Sequence, residues 1–152
     1  MIIKKAEFSD LEEILLLQKL TYKSEAELYN DFSIPPLVQT LKEVEEEFES
    51  HVFLKVVENK KIIGSVRALL IDPKTCYIGK LIVHPEFQNQ GVGTNLMREI
   101  EGIFKDCEKY KLITGHKSEK NLKLYQKLGY KYFKTEKLTE NLNLVYLEKL
   151  NL

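Results

Sequence analysis

The 152 residues include no tryptophan, only two cysteines and four prolines, and no excess of either charge. Each scarcity excludes something. The 23 basic side chains cancel the 23 acidic ones, so the composition argues for neither a nucleic-acid-binding field nor an acidic tail. Cys76 and Cys107 stand 31 residues apart, outside any CxxC and without a histidine at ligand spacing. That pattern argues against a disulfide framework or a structural metal site and fits two buried thiols in a reducing compartment. No apolar run exceeds four residues, as at 14–17 and 68–71, against the roughly 18 needed to cross a bilayer. Charges interrupt the first residues and no apolar h-region follows, so no signal peptide is expected. The expectation is a cytoplasmic protein with no membrane or nucleic-acid partner and no metal.

What is present is enough for a core. The chain is 43% hydrophobic, with eight tyrosines and seven phenylalanines. At roughly 150 residues per domain it reads as a single domain over 1–152.

Residues 2–5 read as a short strand. Ser9-Asp10-Leu11-Glu12 has the form of a capping box, opening a helix with Leu11, Ile14, Leu15 and Gln18 on one side. Residues 21–39 lose that regularity, and Pro35-Pro36 bars a helix from running through. Thr40-Leu41-Lys42-Glu43 is a second capping box, and its glutamate-rich helix turns Leu41, Val44 and Phe48 inward. The period then changes to two. Strands are expected at 52–57, 62–71 and 76–83, joined by polar turns. A two-glycine loop follows, then a helix with Leu96, Met97, Ile100, Ile103, Phe104 and Cys107 on one face. A strand at 111–114 comes next, then a helix at 118–128 ended by Gly129 as a C′ residue. Strands near 131–135 and 142–150 close the chain. The order β-α-α-β-β-β-α-β-α-β-β is α+β, with one right-handed parallel step in the middle. A ligand is expected outside the carboxyl ends of the strands at that step.

The most informative stretch runs from Val83 to Thr94, VHPEFQNQGVGT. It joins a strand to a helix N-terminus, where free backbone N–H groups and a partial positive charge favour phosphate. Gly91 and Gly93 permit close backbone approach. A Walker A loop is excluded, because no glycine stands at the required spacing and no lysine precedes Thr94. A dinucleotide fingerprint is excluded by Leu96 where a third glycine belongs.

Gln88-x-x-Gly91-x-Gly93, preceded by Val83-x-Pro85, resembles motif A of the GCN5-related N-acetyltransferases (GNAT). The stretch from Asn121 to Tyr130, NLKLYQKLGY, resembles the motif B of that family. The element order is similar to the family fold along essentially the whole chain. The resemblance implies a three-layer acyl-CoA N-acyltransferase fold: a mixed, mostly antiparallel sheet of about seven strands with helices on both faces. It also implies direct acetyl transfer from acetyl-CoA to an amine in a ternary complex, without a metal. The strand before the glycine loop would splay from the strand after the helix, with the cofactor in the gap. The backbone of Leu81, Ile82 and Val83 would pair with the pantetheine, and the amides of Gln88, Asn89, Gln90, Gly91, Val92, Gly93 and Thr94 would cradle the pyrophosphate. Many members carry asparagine seven residues before the motif B tyrosine, where this chain has Ser118. Asn121 is therefore chosen over Ser118 as the cofactor contact.

The reaction needs an acid for the leaving thiolate, and Tyr125 holds that position. It also needs a base, because an alkyl ammonium with a pKa of about 10.4 must first lose a proton. His116, just after the short strand, is the candidate; His84 reads as local structure. Glu25 and Asp31 lie in the irregular segment, which corresponds to the acceptor side in the family. Tyr22, Tyr29 and Asp31 are candidates for lining the amine pocket. The alternatives are a non-catalytic acyl-CoA sensor module of the same fold, against which Tyr125 argues, and an interaction protein whose glycine loop is only a turn. A homodimer through an exposed edge strand such as the C-terminal one is compatible with the pattern, which does not demand it.

Overall fold

The computed structural model describes residues 1–152. The elements run β1 (Ile2–Lys5), α1 (Leu11–Tyr29), α2 (Pro35–Val38), α3 (Leu41–Ser50), β2 (Val52–Glu58), β3 (Lys61–Asp72), β4 (Thr75–Val83), α4 (Val92–Ile103), β5 (Lys109–Gly115), α5 (Glu119–Lys127), β6 (Lys131–Lys137) and β7 (Asn143–Leu150), with 3-10 turns at Phe8–Asp10 and Pro85–Phe87. Apart from the two turns and the one-turn α2, this is the expected order. Seven strands form one sheet in the order β1-β2-β3-β4-β5-β7-β6. Five pairings are antiparallel, and only β4 and β5 run parallel.

Helices cover both faces. Leu96, Met97 and Ile100 of α4 pack with Leu54, Val66, Ile78 and Leu112 beneath one face. On the other, Leu11, Ile14 and Leu17 of α1 and Val44 of α3 pack with Phe53, Ile62 and Ile82. Period-two strands between period-3.6 helices thus bury apolar surface on both sides of a central sheet.

Four expectations need correction. Ser9 is not an N-cap: it lies inside the 3-10 turn, where the Glu7 N–H donates to Asp10 Oδ2 at 2.7 Å, and α1 starts at Leu11. Residues 21–29 are not irregular but complete the 19-residue α1. Its inward stripe continues beyond Gln18 as Tyr22, Ala26 and Tyr29, and the polar tips of the tyrosines disguise the period. Asn30, in the left-handed conformation at φ 49°, ends it. The buried face of α4 ends at Ile100: the helix stops at Ile103, which is 40% exposed, and Phe104 and Cys107 lie beyond it. Finally, the C-terminal strand is not an edge: β7 lies between β5 and β6, and the edges are β1 and β6.

Two backbone irregularities set the course of β4. The strand pairs with β5 only at Thr75, Cys76 and Tyr77, although both strands continue past that point. Its β3 register gains one residue between Gly79 and Ile82, at Lys80 with φ 51°. A bulge reverses the side-chain alternation beyond it. Cys76 and Ile78 belong to the α4-side core, whereas Ile82 joins the α1-side core and leaves Leu81 and Val83 against α4.

Candidate active site

Beyond Tyr77 the two parallel strands part, and a cleft of about 1240 Å³ opens in the fork. One wall is the end of β4, with Leu81, Ile82 and Val83. From Ile78 onward the β5-facing edge of β4 has no strand partner, so its backbone groups are open to another extended chain. The fork lies at the expected parallel step.

The cleft runs up to the N-terminus of α4. Gly91 is the N-cap, in the left-handed region at φ 81°. A side chain is strained in that conformation, which accounts for the residue. At Gly93 an added Cβ would approach Leu124 Cδ2 to 3.3 Å, so that glycine lets α4 and α5 close together. The amides of Val92, Gly93 and Thr94 precede the first intrahelical bond, from Asn95 N–H to Gly91 O, and have no intrahelical acceptor. The three residues line the cleft with Gln88, Asn89 and Gly91. Gln90 does not line it; its Nε2 donates to Glu86 O at 3.3 Å. The Gln88 amide donates to Val83 O at 3.1 Å. These two side chains brace the loop, which leaves backbone amides as the anion-facing groups.

The opposite wall is α5. Lys120, Lys123 and Lys127 all line the cleft with Lys117, because spacings of three and four place them on one helical face. Sequence reasoning missed this basic stripe, although its spacing is visible in the motif B segment. Asn121 and Ser118 both line the cleft. Ser118 is committed elsewhere: its hydroxyl donates to Glu25 Oε2 at 2.5 Å and lies 3.2 Å from Tyr29 Oη.

Tyr125 is 6% exposed and, unlike its α5 neighbours Asn121 and Leu124, is not among the residues that line the cleft. Two bonds at the end of α5 fix its place: Tyr130 N–H donates to Tyr125 O, and Gly129 N–H to Gln126 O. With Gly129 at φ 99° this is a Schellman ending, as its position in the sequence suggested. Tyr130 stacks edge-on against Tyr125 at 6.0 Å and donates to Glu101 Oε2 at 2.7 Å, where Lys149 also binds. Burial raises the Tyr125 pKa well above that of a free phenol, and the nearby phenols of Tyr22 and Tyr77 and the Glu25 carboxylate add to the rise. The hydroxyl therefore keeps its proton through the neutral range.

The acceptor-side candidates divide. Tyr22 lines the cleft; burial and then Glu25 raise its pKa, opposed by Arg67. Tyr29 is 2% exposed and acts as a strut, accepting the Lys117 N–H at 2.8 Å. Asp31 lies outside the cleft, capping its own turn through Ser33 N at 2.9 Å and Ser33 Oγ at 2.6 Å. His116 lines the cleft, but the Asn143 N–H donates to its Nδ1 at 2.9 Å. The same Nδ1 lies 3.3 Å from Asn143 O, so the Asn143 backbone occupies that ring nitrogen. His84 is local structure, accepting the Glu86 N–H at 3.1 Å.

The site thus sits in a seven-stranded mixed sheet, forked at its one parallel pair over a helix N-terminus. Residues 11–130 match the model of the acetyltransferase (GNAT) family, and the chain belongs to that family. A curated relative, the UPF0157 protein YqkA of Bacillus subtilis, is 27% identical over 132 residues, 86% of this chain. The chain spans only 37% of the length of that relative. Two solved structures share the fold. One is smu.2055 from Streptococcus mutans, at TM-score 0.86 and 18% identity with both chains fully covered. The other is the PaiA N-acetyltransferase from Thermoplasma acidophilum in complex with coenzyme A, at TM-score 0.79 and 18% identity over 98% of each chain. No helix is long and apolar enough to cross a membrane.

Proposed function

We propose that this chain transfers an acetyl group from acetyl-CoA to a primary amine, by direct attack within a ternary complex. The observation that carries this reading is the β4/β5 fork opening onto the α4 N-terminus. It offers an unpaired strand edge at one end and uncommitted helix amides at the other. A pantetheine arm is extended and amide-bearing, so it suits the edge of Leu81, Ile82 and Val83. A pyrophosphate suits the amides of Gln88, Asn89 and Gly91 to Thr94 and the α4 dipole. The stripe of Lys120, Lys123 and Lys127 adds positive charge beside it. Asn121, free of Glu25, is the cofactor contact in preference to Ser118.

In this reading a β4 backbone N–H polarises the acetyl carbonyl, a fixed dipole aimed at developing negative charge. The protonated phenol of Tyr125 donates to the departing thiolate. The acceptor approaches from the α1 side, past Tyr22. Calorimetric titration with acetyl-CoA, with ATP and NAD as controls, tests the cofactor half. Selective one-to-one binding of acetyl-CoA is expected; equal binding of all three, or of none, contradicts it.

A further inference from the structure

The reading of the cleft as an acetyl-transfer site leaves the first proton without a destination. His116 Nδ1 is taken up by the Asn143 backbone, Asp31 lies outside the cleft and Tyr29 is buried. One carboxylate on the cleft wall is placed differently. Glu25 sits on α1 between Tyr22 and Tyr29 and faces the first turn of α5. Its Oε2 accepts from Ser118 Oγ, which is itself 4% exposed and within 3.2 Å of Tyr29 Oη. Tyr29 Oη is in turn held by the Lys117 N–H. One oxygen is therefore anchored by a chain of hydrogen bonds, while Oε1, in a residue that lines the cleft, has no hydrogen-bond partner. The same carboxylate acts electrostatically on the phenols of Tyr22, Tyr29 and Tyr125, so it lies among them.

We propose that Glu25 receives the ammonium group of a cationic primary amine and takes its first proton on Oε1, with Ser118 as its positioning residue. This rests on the proposed acetyl transfer. The acceptor enters as R–NH3⁺. One N–H bond breaks and that proton passes to Glu25 Oε1. The freed lone pair attacks the thioester carbonyl carbon, forming the C–N bond while the carbonyl π pair moves to oxygen. The pair then returns to carbon and the C–S bond breaks. The second nitrogen proton reaches the sulfur through the Tyr125 hydroxyl, which gives one proton and takes one. The amide, the CoA thiol and a proton on Glu25 remain, and that proton leaves through the open cleft. The cleft thus divides by charge, with lysines of α5 beside the polyanionic donor and a carboxylate of α1 beside the cationic acceptor.

Two probe amines of equal size separate this role from a structural one. Propylamine is protonated at neutral pH, whereas 2,2,2-trifluoroethylamine is largely neutral because its fluorines withdraw electrons. Acetyl-CoA-dependent release of CoA is measured with each at pH 7, for the wild type, Glu25→Gln and Ser118→Ala. For Glu25→Gln we expect kcat/KM to fall about 100-fold with propylamine and less than about threefold with trifluoroethylamine. Acetyl-CoA affinity stays unchanged, which shows that the variant is folded. Ser118→Ala gives a smaller loss with the same preference for the charged probe. Equal losses with both amines, or none with propylamine, would overturn the assignment. So would a wild type that binds acetyl-CoA but transfers to neither probe, since an open carboxylate beside the thioester cannot exclude so small an amine. A wild type that does not bind acetyl-CoA fails the proposed function instead, and the two failures are thereby told apart.

Discussion

At the scale of single residues, Gly91 and Tyr125 carry the most. Gly91→Val forces a branched side chain into the left-handed region at φ 81°, at a cost of about 1–2 kcal/mol. The loop must re-form, and acetyl-CoA affinity should fall at least tenfold by calorimetry while the folded core persists by circular dichroism. Unchanged affinity would remove the loop from the site. Tyr125→Phe should lower turnover about 100-fold with little change in acetyl-CoA affinity, and equal turnover would dismiss the phenol as acid. Asp10 gives a prediction on stability. Burial raises its pKa, but the Lys55 ammonium at 2.6 Å and the Glu7 N–H outweigh it, so the net shift is downward. A depressed carboxylate contributes stability above its unfolded value of about 3.9 and loses it as pH falls through the lower folded value. Asp10→Asn should therefore flatten the acid limb of a stability-against-pH curve, and an unchanged limb would contradict that. Residue identities in the two motifs were legible because glycines and a C′ signal depend on backbone geometry. The roles of Ser118 and Glu25 were not, because 93 residues of chain separate the partners of that bond.

At the scale of elements, α1 is tied to the β5–α5 junction by Glu25, Ser118 and Tyr29. Gly115 makes room for it: an added Cβ would stand 2.7 Å from Tyr29 Cζ. Gly115→Ala should destabilise the protein by about 1–3 kcal/mol and raise the acceptor KM more than that of acetyl-CoA. Denaturant unfolding and steady-state kinetics check the two parts; a stability unchanged within error would mean that the junction yields freely. On α5, Lys123→Ala should weaken acetyl-CoA binding by up to about fivefold, the range of an exposed ion pair, with the deficit shrinking as salt rises. Strands and turns were legible from period-two alternation. The second half of α1 was not, because the polar-tipped Tyr22 and Tyr29 continue the inward stripe beyond Gln18. Gln18 binds Arg67 and Pro36 O, and the Tyr29 hydroxyl meets Ser118. Polar atoms satisfied inside the fold look like loop chemistry in a sequence. The Lys80 bulge had no signal at all, since a lysine at φ 51° is held by its surroundings.

At the scale of the molecule, the antiparallel meander of β2, β3 and β4 and the single parallel step followed from element order and the handedness of crossovers. The place of β7 between β5 and β6 did not, and the helical layers and the fork were expected only from the family resemblance. The fork arises because α4 and its loop hold the end of β4 while β7 holds β5 along its whole length, from Lys109 to Gly115. The central claim is that acetyl-CoA lies in this fork, and amide chemical-shift mapping tests it most directly. On adding acetyl-CoA, the largest shifts should fall on Leu81, Ile82 and Val83, on Gly91 to Thr94 and on Asn121, with the edge strands β1 and β6 silent. Shifts centred elsewhere, or none at saturating acetyl-CoA, would contradict the account.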